Sequence, residues 1–142
     1  ERRCHDLREP ASPDEAGSFD RVLVDAPCSG LGVIRRNPDI KWAAGKETFP
    51  RYQQKQIRIL THAAEYIKPG GILVYAVCSM EPEETDAVIS AFCKTVENFE
   101  VEPAGPGIPS LADLCDPDGC IRLLPHRHHT DGFFIARLRR TR

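Results

Sequence analysis

Phe19-Asp20-Arg21-Val22-Leu23-Val24-Asp25-Ala26-Pro27-Cys28-Ser29-Gly30 and Gly71-Ile72-Leu73-Val74-Tyr75-Ala76-Val77-Cys78-Ser79-Met80 decide the fold of this chain. In each, a β-prone apolar run leads into a cysteine, and serine follows at once. Continuous Val22-Leu23-Val24 predicts a buried strand over Phe19–Asp25, and the second run predicts another over residues 72–77. The two cysteines are 50 residues apart, with a helix-like stretch between them. If the strands are parallel neighbours, both thiols reach one edge of the sheet. That edge is where open α/β sheets bind ligands.

Working outward, a loop with Gly30, Gly32 and Pro38 follows the first strand. A helix is expected from about Phe49. Ile57, Leu60, Ala63, Ala64 and Ile67 share one of its faces at helical spacing, and Pro69-Gly70-Gly71 is expected to end it. Pro82 suits the first turn of a second helix. Glu83, Glu84 and Asp86 suit its positive end, and Val88, Ile89, Phe92 and Val96 form its apolar stripe. A short strand is expected over residues 99–102. Residues 103–119, with Pro103, Gly105, Pro106, Gly107 and Pro109, read as an irregular loop. Residues 121–124 and 132–139 read as two strands, an antiparallel pair at a sheet edge.

The order β-α-β-α-β-β-β predicts a layered α/β domain. Residues 1–18 form a polar lead-in rich in turn formers, and the folded part runs over residues 19–142. A nucleotide-binding α/β fold usually opens with a strand and a Gly-rich turn. Nothing before residue 19 has that form, so the chain is expected to be the second half of a larger domain.

Composition is that of an ordinary globular protein, 41% hydrophobic and 28% charged over 142 residues. No apolar run approaches the roughly 20 residues of a membrane span, and the N-terminus lacks the apolar core of a signal peptide. The six cysteines are spread without a dense framework. They are therefore read as reduced thiols in a cytoplasmic protein. The net charge of −2 hides a segregation. Residues 35–68 hold eight basic and three acidic side chains; residues 81–120 hold one basic and ten acidic; residues 121–142 hold six basic and one acidic. Two basic segments flanking an acidic one form either a surface for phosphates or an ordinary solvated exterior.

Two cysteines and an acid at one sheet edge suit a particular chemistry. Carbon 5 of cytosine is a poor nucleophile. Adding a thiolate to carbon 6 makes carbon 5 enamine-like, so that it can attack a methyl donor. Such a reaction needs a nucleophilic thiol, an acid near the ring, and a group that assists release. Cys78, Asp25 and Cys28 could supply them.

Asp25-Ala26-Pro27-Cys28-Ser29-Gly30-Leu31-Gly32 and Tyr75-Ala76-Val77-Cys78-Ser79-Met80 resemble the two cysteine motifs of RNA 5-methylcytosine methyltransferases. Asn37-Pro38-Asp39-Ile40-Lys41-Trp42 and Asp131-Gly132-Phe133-Phe134-Ile135-Ala136 also resemble segments of that family. The four ordered motifs, spanning residues 19–139, are most similar to its bacterial ribosomal branch, the Sun/Fmu (RsmB-like) 16S rRNA enzymes. Val77 stands where the family often has threonine.

The resemblance implies the C-terminal half of a Rossmann-like, S-adenosylmethionine-dependent methyltransferase domain. It implies Cys78 as the nucleophile, Cys28 as the group assisting product release, and Asp25 as the contact to the cytosine ring and to the donor. Pro27 would shape the donor-side loop. The donor is S-adenosylmethionine, whose Gly-rich binding loop is expected upstream of residue 1, so the chain alone is expected to bind it poorly. The RNA partner is expected to be 16S rRNA, with transfer RNA as the alternative. An exposed sheet edge is a place for self-association.

Several readings stay open beside these. Arg35, Arg36 and Lys41 either contact RNA phosphates or sit on a solvated loop. Trp42 either stacks a base or packs under its loop. Cys115, Cys120, His126 and His128 are poorly spaced for a zinc finger, so no metal is expected. His126-Arg127-His128-His129 reads as a polar or RNA-facing loop. Arg137, Arg139, Arg140 and Arg142 form a basic tail. A noncatalytic RNA-binding module of the same fold is the runner-up function. A thiol redox protein is a third class, disfavoured because neither cysteine sits in Cys-x-x-Cys.

Overall fold

The computed structural model describes residues 4–43, 45, 47–104 and 109–141. Gly105, Pro106 and Gly107 of the expected loop and Arg142 of the basic tail lie outside the described residues. The first strand, β1 (Phe19–Asp25), forms as the sequence predicts. A 3-10 turn (Leu31–Val33) and a short helix, α1 (Ile40–Ala43), interrupt the loop that follows. The long helix α2 (Thr48–Glu65) then carries the chain to β2 (Ile67–Val77). Beyond lie α3 (Asp86–Thr95), β3 (Phe99–Val101), β4 (Ile121–Leu123), α4 (Pro125–His128) and β5 (Phe133–Arg140).

β1 and β2 are parallel and in register from Val22 opposite Leu73 to Asp25 opposite Ala76. β5 runs antiparallel along the other side of β2, with Leu73 opposite Leu138 and Val77 opposite Phe134. β3 and β4 share the remaining side of β5, at its two ends. The sheet order is β1-β2-β5-β3, with β4 beside β5. The expected antiparallel pairing of β4 with β5 is present, but β5 is an interior strand and not an edge. β5 is interior because β2 pairs along one side of it and β3 and β4 along the other, while Phe134, Ala136 and Leu138 bury one of its faces.

One face of the sheet carries the core. Val24, Ala26, Leu73, Tyr75, Val77, Phe134, Ala136 and Leu138 point to it. α2 covers this face with Ile59, Leu60, Ala63 and Ala64, and α3 with Val88, Ile89 and Phe92. Each such large side chain contributes about 1.5–3 kcal/mol on burial. Phe92 packs edge-on against Phe99, with ring centroids 5.4 Å apart. The opposite face is more open: Leu23 on β1 is 68% exposed, and Val74 and Ala76 are half-buried.

Local details depart from the sequence reading in four places. Ile67 belongs to the start of β2 and not to the face of α2, which ends at Glu65. Pro69-Gly70-Gly71 lies inside the span of β2 as a bulge. Pairing jumps there from Phe19 opposite Ile67 to Arg21 opposite Ile72. Gly70 takes a positive φ of 75°, which side-chain-bearing residues rarely adopt. Pro82–Glu84 is a separate 3-10 turn, and α3 begins only at Asp86. Within the expected irregular loop, Pro109–Leu114 forms a further 3-10 helix.

Three backbone segments meet where the sheet ends. Gly32 N donates to Cys78 O at 2.9 Å, and Gly132 N donates to Gly32 O at 2.8 Å. A β-carbon on Gly32 would sit 2.1 Å from Gly132 O and 2.9 Å from Cys78 C. No flexible side chain stands there to give way. Gly32→Ala is therefore expected to cost about 1–3 kcal/mol through overpacking, seen as a lowered urea midpoint. Gly17→Ala offers a contrast, since its β-carbon meets nothing within 4 Å; its cost should come only from its backbone conformation.

Candidate active site

Parallel pairing of β1 with β2 sends both strands out of the sheet at the same end. Ala26 N still donates to Ala76 O at 2.9 Å, and the two cysteine loops start just beyond. Their sulfurs lie 3.3 Å apart, Cys28 Sγ against Cys78 Sγ. Both thiols are free and half-buried. The structure thus brings together residues that the sequence separates by 50 positions.

Burial, followed by the hydrogen bond and the charge of Cys78, pushes the Cys28 thiol up to about 12. Two adjacent sulfurs do not ionise independently. Cys28 is held as S–H at neutral pH, and either sulfur can be the donor in the contact between them.

What holds the two loops together is a side chain that the sequence reading assigned elsewhere. Glu84 was expected to complement the positive end of a helix. Instead it is fully buried beneath the cysteines. Ser29 Oγ and Ser79 Oγ donate to Glu84 Oε2 at 2.5 and 2.6 Å. Ser29 N and Gln56 Nε2 donate to Oε1 at 2.8 and 3.1 Å. Gln56, also fully buried, donates to Pro27 O at 3.0 Å as well. Tyr75 O–H donates to Glu84 O at 2.8 Å. One sequence signal pointed here, namely that serine follows each cysteine. The acid between them was hidden because a glutamate after Pro82 suits a helix start equally well.

Asp25 ends β1 with its side chain exposed, on the sheet face opposite Val24 and Ala26. Pro27 lies between Asp25 and the cysteine and is anchored through its carbonyl to Gln56. Arg35 and Arg36 both reach Asp131, with Arg36 Nη2 at 2.6 Å from Oδ2 and Arg35 Nε at 3.5 Å from Oδ1. This pins the loop after Cys28 against the turn before β5. Both arginines stay more than half exposed while Asp131 is largely buried. Lys41 and Trp42 lie on α1, with Lys41 Nζ 4.8 Å from the centre of the Trp42 ring. Trp42 is 80% exposed, so it does not pack under its loop.

The remaining cysteines and histidines lie apart from this site. Cys120 is buried in the core cluster, and Cys115 bridges to Ile121. His128 Nδ1 accepts from Leu124 N within the one-turn helix α4. No group of three or more His, Cys, Asp or Glu side chains among the described residues is placed to hold a metal ion. A cavity of about 650 Å³ opens on the other end of β1, beside Phe19, Arg21, Val22 and Tyr66, and neither thiol lines it. No helix among the described residues is long and apolar enough to cross a membrane.

Similar proteins share both sequence and geometry. The sequence profile of the family described as 16S rRNA methyltransferase RsmB/F matches residues 3–139. A probable ribosomal RNA small subunit methyltransferase B of Bacillus subtilis is 41% identical over 136 residues, which is 95% of this chain and 30% of that protein. The ribosomal RNA small subunit methyltransferase B of Klebsiella pneumoniae is 44% identical over 84% of this chain and 26% of its own length. The chain thus spans under a third of these relatives. The crystal structure of PH0851 superposes with a TM-score of 0.84 at 35% identity, covering 94% of this chain and 29% of that one. That of NSun6 from Pyrococcus horikoshii with SFG gives 0.78 at 27% identity, over 97% of this chain and 34% of that one. The fold is accordingly part of a Rossmann-like methyltransferase domain. The chain belongs to the 16S rRNA methyltransferase RsmB/F family.

Proposed function

We propose that this chain carries the cysteine-bearing part of an active site that methylates carbon 5 of a cytosine in small-subunit ribosomal RNA. The observation that carries the reading is the pair of sulfurs 3.3 Å apart at the carboxyl ends of two adjacent parallel strands. The names of its relatives support an rRNA substrate of the small subunit.

In this reading the Cys78 thiolate adds to carbon 6 of the cytosine. The carbon 5–carbon 6 double bond opens and carbon 5 becomes nucleophilic. Asp25, exposed at the end of β1, is the acid placed to give a proton to the ring nitrogen as negative charge develops there during the addition. S-adenosylmethionine supplies the electrophilic methyl group. The exposed Asp25 carboxylate fits that donor too, since it can accept from an amino group. A neighbour solved with SFG, an analogue of the same donor, supports this choice. After transfer, a water molecule takes the carbon-5 proton, its electron pair re-forms the carbon 5–carbon 6 double bond, and the carbon 6–sulfur bond breaks with its electrons on the Cys78 sulfur. Cys28, held as S–H beside Cys78, donates to the departing sulfur and so assists release.

RNA approaches across α1 and the loop before it. Arg35, Arg36 and Lys41 offer positive charge to phosphates, and the exposed Trp42 offers a ring face to a base. The ion pairs with Asp131 hold the two arginines in place but leave them accessible.

Transfer of labelled methyl groups into 16S rRNA by the full-length gene product tests the reading. Cys78→Ser should abolish transfer and leave no covalent complex. Cys28→Ala should also lose turnover, yet accumulate a protein–RNA complex that survives denaturant. Wild-type turnover in both variants contradicts the assignment. For the RNA surface, Arg36→Ala should weaken binding across sequences and reduce the slope of log K against log salt by about 1. For the thiol pair, Cys28 alkylation by iodoacetamide should keep accelerating to about pH 12, because its raised pKa leaves it protonated throughout the neutral range.

A further inference from the structure

We propose that Glu84 is a positioning residue whose buried carboxylate sets the distance between the two active thiols. Its place in the fold is unusual. Carboxylates are almost never fully buried without compensation, and taking one out of water costs several kcal/mol. Glu84 is fully buried all the same, and its four acceptor contacts come from neutral donors. An apolar side chain would fill the space without that cost. The donors show what the carboxylate does. Two come from Ser29 and one from Ser79, the residues directly after Cys28 and Cys78.

A single oxygen, Oε2, therefore ties together the two cysteine loops, in addition to the backbone bond from Gly32 N to Cys78 O. Ser29 Oγ and Ser79 Oγ are themselves 3.4 Å apart, close to the 3.3 Å between the neighbouring sulfurs. The serine pair and the cysteine pair are thus two adjacent rungs, and Glu84 clamps the lower one. Hydrogen bonds to a charged acceptor are short and about twice as strong as neutral ones. Gln56 extends the clamp to Pro27 O, immediately before Cys28. Tyr75, from within β2, fixes the backbone of Glu84 itself. Gln56 sits on α2 and Tyr75 within β2, so two members of the set rest on rigid elements, while Glu84 closes the Pro82–Glu84 3-10 turn. Charge adds to geometry here. After burial and the influence of Cys78, the charge of Glu84 is a further cause of the raised Cys28 thiol.

Positioning of the thiols serves catalysis only under the methylation reading, but the thiol chemistry itself needs no RNA. Diamide converts two neighbouring thiols to a disulfide, its N=N bond taking up the two hydrogens. A gap of 3.3 Å must close to about 2.05 Å, so the rate reports how well the sulfurs are held. Formation of the Cys28–Cys78 disulfide would be followed by peptide mass spectrometry in this chain, alongside circular dichroism and thermal melting.

Ser29→Ala, Ser79→Ala and Glu84→Gln should each close at least about tenfold more slowly, the scale of one charge-assisted hydrogen bond. The pH at which Cys28 alkylates should also fall in Glu84→Gln. Phe92→Leu, a core change beside Phe99 that removes none of the clamp's hydrogen bonds, should lower the melting temperature and close at the wild-type rate. If Glu84→Gln does not fold, the two serine variants decide alone, since each leaves the carboxylate in place. Folded serine variants that close as fast as wild type overturn the proposal, and so does an equal slowing in Phe92→Leu. Normal clamp behaviour without methyl transfer to RNA in the full-length gene product would instead overturn the methylation reading alone.

Discussion

In-register parallel pairing of β1 with β2 is the constraint on which the rest of the structure depends. Asp25 opposite Ala76 fixes where both strands leave the sheet. A slip of one residue would turn Val24 and Ala26 out of the core and move Asp25 into it. It would also carry Cys28 away from Cys78. Hydrophobic burial on one face therefore does chemical work on the other side of the strand ends: the same alternation that packs Val24 and Tyr75 against the helices fixes the register of the thiols. β5 reinforces this by running along the full upper length of β2, from Ile72 to Val77.

Beyond the strand ends, hydrophobic burial no longer suffices. Loops carry polar backbone that must find partners. Here Gly32 and Gly132 allow three backbone segments to approach closely enough to bond directly. Glu84 and Gln56 satisfy the remaining groups from beneath. The site is thus built from close backbone contact on one side and a buried polar cluster on the other. Such a cluster is costly unless complete. Both Glu84 oxygens are bonded within it, whereas the buried Gln56 Oε1 has no hydrogen-bond partner among the described residues.

Much of this was legible in the sequence because it rests on local patterns. Continuous apolar runs marked β1 and β2, helical spacing marked α2 and the stripe of α3, and the two Cys-Ser junctions marked the site. What escaped depends on contacts distant in sequence. β5 is interior because β2 lies on one side and β3 and β4 on the other, and no local pattern tells which strands will flank it. Pro69-Gly70-Gly71 reads as a helix stop, yet a bulge absorbs it within β2. Glu84 reads as an ordinary helix-start residue, since nothing local shows that Ser29 and Ser79 converge on it. The exposure of Trp42 was likewise open between two readings until its neighbours were placed.

The central claim is a division of labour between two sulfurs that are nearly in contact, with Cys78 attacking and Cys28 held as S–H. Incubating the full-length gene product with S-adenosylmethionine and RNA bearing 5-fluorocytosine blocks loss of the carbon-5 substituent, so the covalent intermediate persists. Nuclease trimming and peptide mass spectrometry then locate the attached nucleotide. The account predicts a methylated fluorocytidine on the peptide containing Cys78 and none on that containing Cys28. Attachment to Cys28 would contradict it.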